Sequence, residues 1–166
     1  MHWVEALNGL SRGEFVARLG GIYEHSPWVA ERAYDARPFA SIDALHGAMQ
    51  AAVLAAPSGD QLELIRAHPE LLGKLEAAAL TQSSRSEQAG AGLDRCTPGE
   101  KARMQELNGR YRDRFGFPFI VAVKGLDWAA IIERMEARLP NSREAEIAAA
   151  LHEIGRIARF RLAALT

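Results

Sequence analysis

FPFIVAVKG, residues 117–125, decides the fold class, because it is the one run in the chain that reads as a β-strand. Apolar residues fill it almost end to end, which suits a strand buried on both faces. A single run cannot build a sheet, however, and Pro118 removes a backbone donor, so residues 117–124 read as an extended connector. Working outward, the rest is a series of capped helices. Ser11 with Glu14 forms a capping box before FVARLGGIYE. Ser26 before Pro27 reads as an N-cap with proline in the first turn, and that helix should end before Arg37-Pro38. Ser41 opens IDALHGAMQAAVLAA, which stops at Pro57, and a short helix begins near Asp60. Thr97 with Glu100 caps a long helix that reaches Gly116, a C-terminal glycine. Asp127 and Ser142 cap the last two helices, the final one running nearly to Leu165. The expected fold is all-α, a single-domain bundle over residues 1–166 with about seven to nine helices.

Composition narrows the function classes. Twenty basic residues against 21 acidic ones leave a net charge of -1 in 166 residues, with no general pull toward nucleic acid or anionic membranes. The single cysteine, Cys96, excludes an internal disulfide and a cysteine-based zinc site. MHWVEALNGL lacks the basic segment and apolar core of a signal peptide, RLAALT is no peroxisomal tripeptide, and no apolar run has membrane-spanning length. A cytoplasmic protein is expected. The histidines at 2, 25, 46, 68 and 152 have no metal-ligand spacing. Phosphate loops, H-E-x-x-H and G-x-S-x-G are absent as well.

Three places carry candidate chemistry. His68 lies where Pro69 forces a helix to end, in LIRAHPELLGKL (64–75). A ring there can be a surface or core residue, or can face a cleft, where the unperturbed imidazole pKa of ~6.5 suits proton transfer. Glu87 stands three residues after Ser84, so it can close a capping box. With Gln88 and the neighbouring glycines it can equally read the N–H and C=O groups of a ligand. Arg161 falls seven residues after Ile154, within the apolar stripe of Ile147, Leu151, Ile154, Ala158 and Leu165. It snorkels from the core edge, favours the helix C-terminus electrostatically, or aims its guanidinium at a carboxylate or urea-like carbonyl.

Taken in order, HPEL (68–71), SRSEQAGAGLD (84–94), LNGRYRDRFGFPFIVAVKG (107–125) and EIGRIARFRL (153–162) resemble one family. It is 2-oxo-4-hydroxy-4-carboxy-5-ureidoimidazoline (OHCU) decarboxylase, of urate breakdown. LNGLSRGEFVARLGGIYEHSPWVAERA (7–33) and RPF (37–39) extend the likeness over nearly the whole chain. The resemblance implies that His68 is the catalytic histidine, Glu87 the active-site glutamate and Arg161 the arginine that holds the substrate. It further implies that Ser84 and Gln88 contact substrate, while Pro69 and the backbone of Phe119, Ile120 and Val121 line the pocket.

The likeness also implies a helical homodimer that decarboxylates OHCU to (S)-allantoin without metal or cofactor. The substrate would be a small molecule, with neither nucleic acid nor membrane as partner. Two alternatives stay open at this stage: a lyase or hydrolase acting on another ureido or imidazoline compound, and a helical binding module without chemistry.

Overall fold

Backbone groups at helix ends need partners, and at five helix N-termini a side chain three residues earlier supplies one. In a computed structural model that describes residues 2–71 and 97–166, Ser11 and Thr97 both close full capping boxes, with Glu14 and Glu100. Ser41, Asp127 and Ser142 accept from the N–H groups of Ala44, Ala130 and Ala145. The described residues form eight α-helices and no strand, so the fold is all-α. They are α1 (His2–Asn8), α2 (Arg12–Leu19), α3 (Trp28–Ala33), α4 (Ile42–Leu54), α5 (Ser58–Ala67), α6 (Pro98–Phe115), α7 (Trp128–Arg138) and α8 (Arg143–Ala164). A 3-10 turn, Tyr34–Ala36, follows α3. The segment from Gln82 to Thr97, rich in serine, glycine and alanine and by that composition the region expected to be irregular, lies outside the described residues up to position 96.

One expected cap is different. Pro27, not Ser26, takes the N-cap position of α3, and Ser26 instead donates its hydroxyl to the Glu24 carbonyl at 2.8 Å. Ser26 is buried, so its side chain serves the loop before the helix rather than the helix end. The run FVARLGGIYE also stops being helical at Leu19, where Gly20 caps α2.

The chain clusters into two compact units, residues 1–67 with 154–166, and residues 68–153. In the first unit, Phe15 packs edge-on to Tyr34 at 5.4 Å and stacks on Phe39 at 6.2 Å. The Arg37 guanidinium lies 3.5 Å over the Tyr34 ring and donates to the carbonyls of Asn8 and Leu10. Asn8 in turn exchanges two hydrogen bonds with the Phe39 backbone, at 2.8 and 3.0 Å. The 37–39 segment is thereby tied to the end of α1. Gly155 lets α8 approach α4 closely: a Cβ there would lie 2.8 Å from the Gln50 carboxamide, which Tyr23 holds through a 2.8 Å hydrogen bond.

The second unit is organised by residues 117–123. All but Pro118 in that run are buried, yet none is in a strand. Such a segment has no sheet neighbour for its N–H and C=O groups, and leaving them unpaired inside a protein is costly. Arg138 donates to the Ile120 carbonyl at 2.8 Å, and the Ala122 N–H donates to Glu153 at 3.1 Å. Gly116, at φ 80°, turns the chain from α6 into this run, a conformation that glycine adopts freely. Arg138 is itself held by Glu146, which is fully buried and also accepts from the Tyr111 hydroxyl at 2.5 Å and from Asn141 at 3.0 Å. Tyr111 joins Phe115 and Phe119 in an aromatic cluster, with centroids at 4.5 and 5.3 Å.

Burial raises the pKa of Tyr23, and burial together with the Glu146 carboxylate raises that of Tyr111 against the opposing pull of Arg138. Both start from an ordinary value of 10.0. Above that pH the unfolded chain loses phenolic protons that the folded chain keeps, so stability present below about pH 10 falls as pH rises further. Urea unfolding followed from pH 8 to 11 should show this fall, and Tyr23→Phe should make it shallower; an unchanged slope would show that Tyr23 adds nothing to it.

Candidate active site

Arg161 occupies the position that the helical spacing assigned to it. Ile154 and Ala158 are buried on the same face of α8, and Arg161 is buried with them. The stripe departs from expectation at its end: Leu165 is 48% exposed, past the last helical residue Ala164, and Leu162 is buried instead. A guanidinium so covered requires compensation. Nη2 donates to Glu24 Oε1 at 2.8 Å and Nη1 to the Ile22 carbonyl at 3.2 Å.

Both partners come from the loop between α2 and α3. The loop carries local strain, since His25 sits at φ 48° without being glycine. The His25 ring lies 3.7 Å from the second Glu24 oxygen, and Ser26 fixes the Glu24 carbonyl. Side-chain exposures of 6% for Arg161 and 1% for Glu24 place the pair in a water-poor setting, where a charge-assisted hydrogen bond is strong. Glu24 is a residue that sequence reasoning missed. Its signal was indirect: an arginine inside an apolar stripe demands an acid, but no spacing says which.

His68 and Pro69 lie in the second unit. α5 ends at Ala67, and His68 to Glu70 follow without regular structure, as a residue before proline should. The His68 residue is buried at 6% exposure rather than on the surface. Two groups from α6 meet the residues after it: Asn108 donates to the Leu71 carbonyl at 2.5 Å, and Arg112 donates to both Glu70 carboxylate oxygens at 2.9 Å. Phe119, Ile120 and Val121 belong to the same unit, in the buried extended run. Arg138 stacks over the Phe119 ring at 4.4 Å while holding Ile120.

Arg161 belongs to the first unit and His68 to the second. Ser84, Glu87 and Gln88 lie outside the described residues. A surface groove beside Arg103, Arg110 and Arg114 of α6 contains none of the residues singled out in the sequence.

Residues 8–163 match the OHCU decarboxylase family. The chain is 47% identical over 163 residues to 2-oxo-4-hydroxy-4-carboxy-5-ureidoimidazoline decarboxylase of Halalkalicoccus jeotgali, covering 98% of this chain and 91% of that protein. It is 44% identical to the uric acid degradation bifunctional protein PucL of Bacillus subtilis, over 98% of this chain and 32% of that one. Among solved structures, a crystal structure of (S)-allantoin synthase superimposes with a TM-score of 0.76 at 32% identity, covering 97% of this chain and 53% of that chain.

Removing the buried acid that holds the extended run should be severe. Glu146→Ala leaves Arg138 without its carboxylate and is expected to cost about 3–5 kcal/mol. Urea denaturation at neutral pH measures this, and a loss under about 1 kcal/mol would show that the network is not what holds the run.

Proposed function

The chain belongs to the OHCU decarboxylase family, and we infer that it converts 2-oxo-4-hydroxy-4-carboxy-5-ureidoimidazoline to (S)-allantoin in urate degradation. The observation that carries this reading is the near full-length match, which includes the His-Pro-Glu motif at positions 68–70.

The substrate supplies its own electron sink. Its carboxylate is attached to a carbon that also bears a hydroxyl, next to a ring C=N bond. When the bond to the carboxylate breaks, carbon dioxide leaves, the electron pair forms a double bond to the ureido-bearing carbon, and the C=N pair shifts to the ring nitrogen, which takes up a proton from solvent, giving an enol. A proton then joins the ureido-bearing carbon while the hydroxyl gives up its proton to become the carbonyl of allantoin. Chemistry of this kind needs neither pyridoxal nor thiamine nor a metal, so we take the reaction to be cofactor-independent.

The protein's work is then to orient the substrate, stabilise charge and control one proton. We assign that proton to His68, which either takes it from the hydroxyl or delivers it to carbon on one face. Acid–base help of this sort typically contributes ~10²–10⁴-fold. Its covered position supports the role, because a buried ring is shielded from bulk exchange with water. Glu87 would fix the ring and ureido N–H groups, with Ser84 and Gln88 completing the fit. Pro69 and the backbone of Phe119, Ile120 and Val121 would line the pocket.

Arg161 is assigned to a ureido or ring carbonyl rather than to the departing carboxylate. Gripping that carboxylate would stabilise the ground state and oppose its loss. Glu24 supports the assignment: part of the Arg161 charge is already spent on a carboxylate within the protein, which leaves it better matched to a neutral carbonyl. No helix among the described residues is long and apolar enough to cross a membrane. We take the working form to be a cytoplasmic homodimer that acts on this small molecule alone.

The test generates the substrate in place from urate with urate oxidase and hydroxyisourate hydrolase, and follows circular dichroism. Wild-type protein should give rapid growth of the (S)-allantoin signal. His68→Ala should reduce it to the slow, racemic background with helical content unchanged. Wild-type turnover in that variant would remove His68 from the mechanism, and a silent wild-type protein would point to another ureido or imidazoline substrate.

A further inference from the structure

Neither helix nor sheet fixes the four residues His68 to Leu71. α5 ends at Ala67, His68 to Leu71 are in neither helix nor strand, and Pro69 limits its own φ. A group that must place a proton on one face of one carbon cannot be left on such a segment unsupported, because a displacement near 1 Å costs on the order of 10²-fold in rate. Two contacts that hold the residues after His68 come from one face of α6. Asn108 and Arg112 are four residues apart and therefore neighbours on the helix surface. Asn108 is buried and donates to the Leu71 carbonyl at 2.5 Å. Nη1 of Arg112 bridges both oxygens of Glu70 at 2.9 Å.

We propose that Asn108 and Arg112 are positioning residues for the reaction, a two-point clamp that fixes the His68–Leu71 turn through the Leu71 carbonyl and the Glu70 carboxylate. Neither touches substrate; each acts through the turn. The inference rests on the reading of His68 as the group that handles the proton.

Stability alone does not account for the Arg112 contact. Its side chain is 54% exposed, and exposed ion pairs contribute little to folding. Glu70 is different: its side chain is only 12% exposed, so its carboxylate is held in one place by the arginine rather than waving in solvent. An exposed helix residue has reached inward to immobilise the third residue of the His-Pro-Glu motif. The clamp also gives Glu70 a role that needs no contact with substrate.

The experiment measures kcat and KM on substrate generated from urate, for Arg112→Ala, Arg112→Lys, Glu70→Ala, the Glu70→Ala/Arg112→Ala double variant, Asn108→Ala and His68→Ala. Arg112→Ala should fold like wild type, with kcat lowered about 10–100-fold and KM within about twofold. Arg112→Lys should recover much of the loss, since a point charge still meets the carboxylate. Glu70→Ala should match Arg112→Ala, and the double variant should be no worse than either, because both break one contact. Asn108→Ala should lower kcat in the same way; should it fail to fold, the exposed Arg112 still carries the test. Wild-type kcat in Arg112→Ala, beside an inactive His68→Ala, overturns the clamp and leaves the histidine's role standing. Multiplying losses in the double variant, or a raised KM at unchanged kcat, overturn it too, since the residues would then act separately or on substrate. An active His68→Ala removes the reading on which the clamp rests, and the clamp falls with it.

Discussion

An extended segment buried without a sheet beside it must find partners for every N–H and C=O that a neighbouring strand would have supplied. Residues 117–123 are in that position, and charged side chains meet part of the demand. Arg138 reaches the Ile120 carbonyl and Glu153 receives the Ala122 N–H. Those side chains are themselves buried or half-buried, so they need partners in turn, and Glu146 gathers Arg138, Tyr111 and Asn141 around one carboxylate. Desolvating such charges is expensive, and the expense is offset only when the geometry satisfies all of them together. The arrangement therefore tolerates little drift, which suits a backbone stretch expected to line a substrate pocket.

The same logic recurs around Arg161 in the other unit. Helical spacing drives the arginine into an apolar stripe, and a strained loop brings Glu24 and the Ile22 carbonyl to it. On the proposed reading, an arginine with part of its fork already committed is matched to a polar, uncharged oxygen of the substrate rather than to a free carboxylate. In a decarboxylase that difference matters, because the carboxylate is the group that has to leave. The turn after His68 is met in the same way: Asn108 and Arg112, on a helix more than thirty residues further along the chain, bond Leu71 and Glu70.

Much of this was legible from local pattern. The caps at Ser11, Ser41, Thr97, Asp127 and Ser142 all form, because each joins a side chain to an N–H three residues away. The Ser26 cap does not, because a serine beside a proline looks the same whether it bonds the helix or the loop before it. The connector at 117–124 was readable as something other than a strand, since one apolar run has no partner. The burial of Arg161 followed from its spacing to Ile154, while its neighbour Leu165, at the fraying end, escaped the stripe.

By itself, then, the sequence determined the helices, the extended connector, the inward face of α8 and, through an ordered set of motifs, the family. Only the tertiary structure decided the pairs that charge those elements: Glu24 with Arg161, 137 residues apart, Glu70 with Arg112, 42 apart, and Tyr111 with Glu146, 35 apart. The physical reason is one of range. A cap or a helical stripe is set by bonds and angles within a few residues, so its rule is written in spacing. A buried ion pair is set by which surfaces exclude water together, and no spacing along the chain records that.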